Sequence, residues 1–329
     1  MNVYLISRKI LQAVFLVLFV VVILYVLLRL MPGNPAELYI RNLKHPTKAA
    51  INNIYKMYGI NPNNKFALSS FIVYLNQMLT FHFGYNPAEL SQSIYSMIAT
   101  ALPYTIIIFG VASVGSFAFG IPLGIVTAFI RGKRSEGPTL VTATVLNSIP
   151  FFVMAIIVYI VFAVYYPIFP LAASHYRLGP FLKSPSFSGL LVLIHYFTMP
   201  ILTLLIIEIM GHLITMRSIM VSVLGEDFIQ TARAKGVSQS SIMFHHAARN
   251  AMVPESTRMA LEFALLMSGA VITGIIFEIP GMGVLLYDNI LIENYPVIEA
   301  SLFILALVVI VSYSSIDFIH AWLDPRVRV

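Results

Sequence analysis

Several stretches of this chain run for 17 residues or more without an Asp, Glu, Lys or Arg, among them Ile10 to Leu28, Leu90 to Ile130, Gly137 to Tyr176, Ser184 to Ile207 and Ala300 to Ile316. A helix needs about 17–25 apolar residues to cross the hydrocarbon layer of a bilayer, and each stretch can supply them. The alternative spanning structure, a β-barrel, calls for alternating segments of about ten residues, and the continuous Leu, Ile, Val and Phe runs here do not alternate. Only 10% of the 329 residues are charged and 59% are hydrophobic, against roughly 25% charged in soluble domains. The expected class is an all-α membrane protein with about six transmembrane helices, near 10–30, 102–130, 138–166, 190–216, 256–277 and 297–320.

Arg8 and Lys9 before the first run have the layout of a secretory signal. The run is longer than the 7–15 residues of a signal core, and Arg29-Leu30-Met31-Pro32 offers no small-x-small cleavage site, so it is expected to stay as the first span. Short cytoplasmic loops carry an excess of Lys and Arg. Arg131, Lys133 and Arg134, then Arg217, Arg233, Lys235, Arg249 and Arg258, and finally Arg326 and Arg328, fall on one side with Arg8 and Lys9. That count places both termini in the cytoplasm of a multi-pass protein of the cell membrane. It also reads the net charge of +6 as loop charge facing the lipid bilayer, with no nucleic acid involved. The expected division is an N-terminal transmembrane helix, 1–31, an external, partly helical segment, 32–101, and a core of five helices, 102–329. Tyr165, Tyr166, Tyr295 and Trp322 near span ends read as interface anchors.

The stretch from Ser218 to Pro254 is too long for a turn between spans. Asp227 reads as a helix N-cap with Gln230 completing a capping box, and Gly236 as the stop. A helix of eight or nine residues is marginal alone and has to be held by packing. Small Ala232 and Ala234 let another backbone come close, Phe228 and Ile229 can anchor, and Arg233 and Lys235 can pair with acidic groups of a partner. A second helix is expected from Ser238 through His245 and His246 to about Asn250.

Glu226-Asp227-Phe228-Ile229-Gln230-Thr231-Ala232-Arg233-Ala234-Lys235-Gly236, followed by Ala248-Arg249-Asn250-Ala251-Met252-Val253-Pro254, closely resembles the coupling segment of permeases of the dipeptide and oligopeptide family of ATP-binding-cassette importers. Met31-Pro32-Gly33-Asn34-Pro35, Gly120-Ile121-Pro122-Leu123-Gly124, Ser148-Ile149-Pro150, Phe277-Glu278-Ile279-Pro280-Gly281-Met282-Gly283, Asn294-Tyr295-Pro296-Val297 and Leu323-Asp324-Pro325-Arg326-Val327-Arg328 follow that family's pattern in order. The likeness covers essentially the whole chain. It implies the type I ABC importer permease fold and a complex with a second homologous permease subunit, two cytoplasmic ATP-binding subunits and an external substrate-binding protein. ATP and Mg would then be handled on the partner ATPases, with no cofactor on this chain. Gln230-Thr231-Ala232 stand where the general importer form has Glu-Ala-Ala, a departure typical of the peptide branch. The resemblance makes Glu226, Asp227, Phe228, Thr231, Ala232, Arg233, Ala234, Lys235 and Gly236 the ATPase-coupling residues. Relatives in this branch carry peptides, some oligosaccharides and metal chelates, so the solute stays open.

Other polar residues have two readings each. Asn147, Ser148 and Pro150 in the third span, and Ser268 and Gly269 in the fifth, can line a translocation path or serve close helix packing. Glu278, Pro280, Gly281 and Gly283 break the fifth span's outer end, as an external gate loop or an ordinary turn. Glu208 with His212, four apart, can form a proton relay or a satisfied pair between helices, and Arg258 with Glu262, also four apart, an ion pair or a substrate contact. Adjacent His245 and His246 point about 100° apart and cannot grip one metal. A secondary transporter would need ionisable groups at the midplane and an internal repeat. An intramembrane enzyme would need a hydrolytic constellation, and the chain has neither H-E-x-x-H nor G-x-S-x-G nor any cysteine. Without G-x-x-x-x-G-K-[ST], ATP has to be hydrolysed elsewhere.

Overall fold

The structure is a computed structural model that describes residues 3–30, 40, 47–57 and 66–323. Met31-Pro32-Gly33-Asn34-Pro35 and the closing motif from Asp324 lie outside the described residues. In chain order the elements are α1 (Val3–Leu30), α2 (Lys48–Met57), α3 (Leu68–Leu79), the strands β1 (Tyr85–Asn86) and β2 (Glu89–Ser93), and α4 (Ile94–Phe129). Then come α5 (Glu136–Ser148), α6 (Phe151–Tyr159), α7 (Leu178–Lys183), α8 (Phe187–Val223), α9 (Asp227–Ala234), α10 (Ala248–Ile276), α11 (Met282–Leu291) and α12 (Tyr295–Leu323).

Among the described residues four helices are long and apolar enough to cross a membrane: Ser7–Leu27 within α1, α4, α8, and Tyr295–Ser315 within α12. α5 and α6, with its π-helical extension to Tyr165, are long and apolar enough only when taken together, and the 93° bend at the break between them makes the pair a broken span or a re-entrant loop. The 29-residue α10 stands where the remaining span is expected. At 1.5 Å per residue, the 36 and 37 residues of α4 and α8 reach about 54 Å, well beyond the ~30 Å hydrocarbon layer. α4 begins at Ile94, eight residues before the expected boundary and still inside the uncharged run that starts at Leu90.

Two compact units form. One contains 3–104 with 280–311. Its core joins Val21, Leu24 and Tyr25 of α1, Tyr74 and Met78 of α3, Ile94 and Ile98 of α4, and Met282, Val297, Ala300 and Phe303. Residues 280–311, grouped with the core of spans on sequence, thus pack with the N-terminal segment. The segment expected to be external is helical in α2 and α3, and it also holds a two-stranded antiparallel hairpin that the sequence did not announce. Tyr295 is only 5% exposed in this core and is no interface anchor, whereas Tyr165 and Tyr166 are 78% and 62% exposed. A buried amide triad fastens the hairpin, with Asn294 Nδ2 donating to Asn86 Oδ1 at 2.8 Å and to Asn289 Oδ1 at 2.7 Å.

The other unit contains 105–279 and 312–323. Its organising contact is between α4 and α8. A Cβ added at Gly120 would sit 2.5 Å from His212 Cβ and 2.9 Å from the Ile209 carbonyl, and one at Gly124 would sit 2.6 Å from Met216 Cβ. Helices in lipid gain little from hydrophobic association and hold together by close packing, which small residues permit. Gly120→Ala is therefore expected to force α4 off α8 and cost about 1–3 kcal/mol, the usual range for overpacking. Gly110→Ala on the same helix, where no atom lies within 4 Å of the added carbon, should be neutral or mildly stabilising. Thermal unfolding of the two variants in the same detergent checks the difference.

Candidate coupling site

The α9 helix has no side-chain cap at its N-terminus. Glu226 is the N-cap, in extended conformation, and Asp227 is the first helical residue. The expected capping box is therefore absent. What Glu226 and Asp227 place at this end is negative charge beside unpaired amides, which the helix dipole favours. The C-terminus is closed by hydrogen bonds. Gly236 adopts φ +76°, its N–H donates to Arg233 O at 2.9 Å, and the N–H of Val237 donates to Ala232 O at 3.2 Å. This is a Schellman motif, and its left-handed residue is where glycine avoids the Cβ clash.

Which face points where follows from burial. Ile229 is fully buried and Ala232, one turn on, is 6% exposed. Both sit in a cluster with Ile121, Ile125 and Ala128 of α4, Met216 and Met220 of α8, Ile242, Met243 and Ala247, and Ala251 of α10. Val237 packs on the same cluster, giving the Schellman turn its apolar contact. Asp227, Phe228, Gln230, Thr231, Arg233, Ala234 and Lys235 are exposed. Ala232 and Ile229, read from sequence as partner-facing, thus hold α9 on its own chain, and the free face is that of Phe228, Thr231, Ala234 and Lys235. Burying an isoleucine side chain contributes about 1.5–3 kcal/mol, which offsets the marginal stability of an eight-residue helix.

The second helix differs from its expected extent. Ser238 Oγ accepts from Ser241 N–H at 3.4 Å, and Gln239–Ser241 lead into a π-helical turn, Ile242–Ala247, that continues directly into α10. Pro254 therefore lies inside a helix and ends nothing. Residues 239–276 are one continuous helical rod. The loop after α4 is tied to the same region: Glu136 accepts from Gly132 N–H at 2.7 Å with one carboxylate oxygen and from Arg217 of α8 with the other.

Gly211 lies 12 residues before the end of α8, about 18 Å along its axis, and a polar cluster surrounds it. His212 Nδ1 and Glu255 Oε1 are 2.6 Å apart, and both side chains are essentially unexposed. Phe117 meets the imidazole edge to face at 5.8 Å. Arg258 Nη1 donates to Gly211 O at 3.1 Å. A Cβ at Gly211 would fall 2.9 Å from Arg258 Nη2 and 3.0 Å from Asn147 Oδ1. The partnership of His212 with Glu255 escaped sequence reasoning, which looked for partners four residues away on one helix. An acid immediately after a proline in an apolar neighbourhood was the available signal. The side chain of Glu262 lies outside the described ones.

Asn147, Ser148 and Pro150 are exposed at the 93° break between α5 and α6. Gly269 is half-buried with no atom within 4 Å of an added Cβ, and the side chain of Ser268 is outside the described ones. At the other end of α10 the helix stops at Ile276, and Glu278 takes φ +49°. Phe277 O accepts from Ala173 N–H at 2.9 Å, and Ser174 Oγ donates to Glu278 Oε2 at 3.4 Å. Gly281 is the N-cap of α11, with Gly281 and Gly283 buried and Pro280 half-buried.

Residues 120–329 match the family model described as "Binding-protein-dependent transport system inner membrane component". A Brucella abortus protein named for a peptide transport system permease is 33% identical over 98% of both chains. The dipeptide transport system permease protein of Bacillus subtilis is 29% identical over 95% of this chain and 94% of its own length. The oligopeptide transport system permease protein of the same organism is 27% identical over 98% of both. With the coupling segment, the break between α5 and α6 and the Pro-Gly-Met-Gly turn all inside the matched region, the chain belongs to the family of inner-membrane components of binding-protein-dependent transport systems.

Proposed function

We propose that this chain is one of two permease subunits of an ATP-driven peptide importer, forming half of the translocation path and engaging a cytoplasmic ATPase through α9. The observation that carries the reading is the division of α9 into two faces. Ile229 and Ala232 are locked into the chain's own core, while Phe228, Thr231, Ala234 and Lys235 present an apolar centre with a basic edge to a partner. The names of its relatives support peptides as the solute.

Closure of an ATPase pair would press on α9 from outside. Because its inner face is close-packed against α4, α8 and the start of α10, the push passes to all three without slack. Two polar ties add stiffness: Arg217 to Glu136 holds the α4–α5 loop to α8, and His212 to Glu255 holds α8 to α10. In this reading α9 and both termini lie in the cytoplasm, an external binding protein delivers solute at the opposite face near Glu278 to Gly283, and ATP and Mg stay on the partner subunits. The exposed polar break at Asn147, Ser148 and Pro150, with Gly269 on α10, lines the path. This chain alone is expected to hydrolyse no ATP.

Phe228→Asp combined with Ala234→Arg should leave membrane insertion and yield unchanged while lowering ATP-driven peptide uptake at least about tenfold, the loss of one hot-spot contact. Co-purification of the ATPase subunits, and uptake of alanine oligopeptides into proteoliposomes, read both effects. Unaltered uptake, or labelling of residues 226–236 from the outer side, sinks the lever. Ile229→Ala should instead cost about 2–5 kcal/mol of stability by leaving a cavity in the seat. The tie between α8 and α10 has its own signature. His212→Leu or Glu255→Leu alone should each destabilise by about 3–5 kcal/mol, because each strands a buried polar partner. The double replacement should recover much of that loss in thermal unfolding.

A further inference from the structure

We propose that α3 lies in the lipid–water interface of the bilayer as an in-plane amphipathic helix, with the apolar strip of its outer face among the acyl chains. The inference concerns the membrane alone and holds whatever the solute. From Phe66 to Ala88 the chain runs 23 residues without an Asp, Glu, Lys or Arg. That is the length of a span, but this segment cannot cross. α3 takes up only 12 of these residues, about 18 Å, and just beyond its end Phe81 adopts φ +57°, a left-handed backbone that closes the helix. What α3 exposes is divided lengthwise. At 100° per residue Leu68, Ile72 and Leu79 fall on one strip and Ser69, Asn76 and Thr80 on the strip beside it, all six exposed. Exposed Val73 lies beyond the polar strip, and Ser70, Tyr74 and Met78 face the protein. An apolar strip next to a polar one is what a helix needs to lie along the membrane surface with one side in hydrocarbon and the other at the headgroups.

Contacts within the same unit set the depth. Tyr25 of α1, two residues before the end of the Ser7–Leu27 span, gathers α3 around it. Its hydroxyl donates to Ala67 O at 3.3 Å, and its ring meets Phe71 at 5.1 Å and Tyr74 at 5.4 Å. Val22, Ile23, Val26 and Leu27 on either side of Tyr25 are exposed residues of that span, so α3 sits at the level where a lipid-facing surface ends. The Arg29 guanidinium lies 3.9 Å over the Tyr25 ring, its stem along apolar surface and its charge at the span's edge, the place where long cations reach the headgroups. The turn after α3 goes deeper. Phe81 and Phe83 meet Phe303 at 6.3 and 6.4 Å, eight residues or about 12 Å along α12 from the start of the Tyr295–Ser315 span. A cleft of about 850 Å³ opens there between Phe81, Tyr95, Ile98, Leu102 and Ile304, with apolar walls that acyl chains can fill.

The chain has no cysteine, so a single nitroxide can be attached at Ile72→Cys or at Asn76→Cys, one on each strip, in the complex as purified and held in phosphatidylcholine nanodiscs. Power saturation reads the collision rates of each label with oxygen, which concentrates among acyl chains, and with a neutral nickel chelate, which stays in water. The oxygen-to-nickel ratio at Ile72 should exceed that at Asn76 roughly threefold or more, as for an apolar strip ~5–10 Å into the acyl boundary. Leu68→Cys repeats the measurement on the apolar strip should Ile72→Cys fail to assemble. A ratio on the apolar strip no higher than at Asn76 places α3 in water. A label there that neither reagent reaches places it under another protein chain, and either result overturns the proposal.

Discussion

Hydrocarbon offers no hydrogen bonds, and most of what is unusual in this chain follows from that constraint. Hydroxyl groups in the long helices are satisfied locally. Thr127 donates to Leu123 O at 2.7 Å, Thr198 to Ile194 O at 2.6 Å, Thr203 to Met199 O at 2.9 Å and Thr273 to Gly269 O at 3.0 Å. Each bonds back one turn along its own helix and asks nothing of a neighbour. His212, Glu255 and Arg258 behave differently: His212 of α8 meets Glu255 of α10, and Arg258 of α10 donates to Gly211 O of α8. A polar group that reaches across helices in such a setting fixes their relative position, because any slip leaves it without a partner.

Two kinds of adhesion operate in the same unit. Between α4 and α8 the contact is steric: Gly115, Gly120 and Gly124 bring one helix against the side chains and backbone of the other. At the coupling end the apolar side chains of Ile229, Met216, Met220, Ile242 and Met243 fill a core of the ordinary water-soluble kind. Methionine suits that place, since its unbranched side chain fills irregular gaps between a short helix and the ends of long ones. The first mechanism keeps helices parallel and close. The second lets a short helix, unstable alone, act as part of a rigid body.

The long apolar helices were legible because a span needs length and uncharged sequence, both visible in one dimension. The stop at Gly236 was legible for a similar reason: a left-handed residue after a helix selects glycine by sterics. What escaped was whatever depends on the third dimension. Periodicity marked Phe228, Ile229, Ala232 and Ala234 as candidate contacts, but it could not say which pair faced inwards. Sequence spacing likewise suggested Glu208 for His212, whereas Glu255 approaches from 43 residues away. The hairpin of Tyr85 to Ser93 was hidden by its brevity, and its anchor, Asn294 to Asn86, spans 208 residues. The second helix was expected to end near Asn250, but it continues through Pro254, which a helix packed among others can tolerate.

The proposed lever depends on stiffness in the passage from α9 into α10. Gly236 is the one residue between them with a left-handed backbone, and glycine is usually where a chain bends. Its freedom is nevertheless removed on both sides. The two Schellman bonds fix the end of α9, Val237 is packed into the same core as Ala232, and Ser238 caps the next helix directly. Conformational permissiveness in the sequence becomes a fixed corner in the fold, so displacement of α9 has no soft turn in which to dissipate. The weaker backbone lies further along, in the π-helical turn Ile242–Ala247, and there Ile242, Met243 and Ala247 are buried in the seat. In the proposed lever, a push at Phe228 would therefore reach α10 through a packed block.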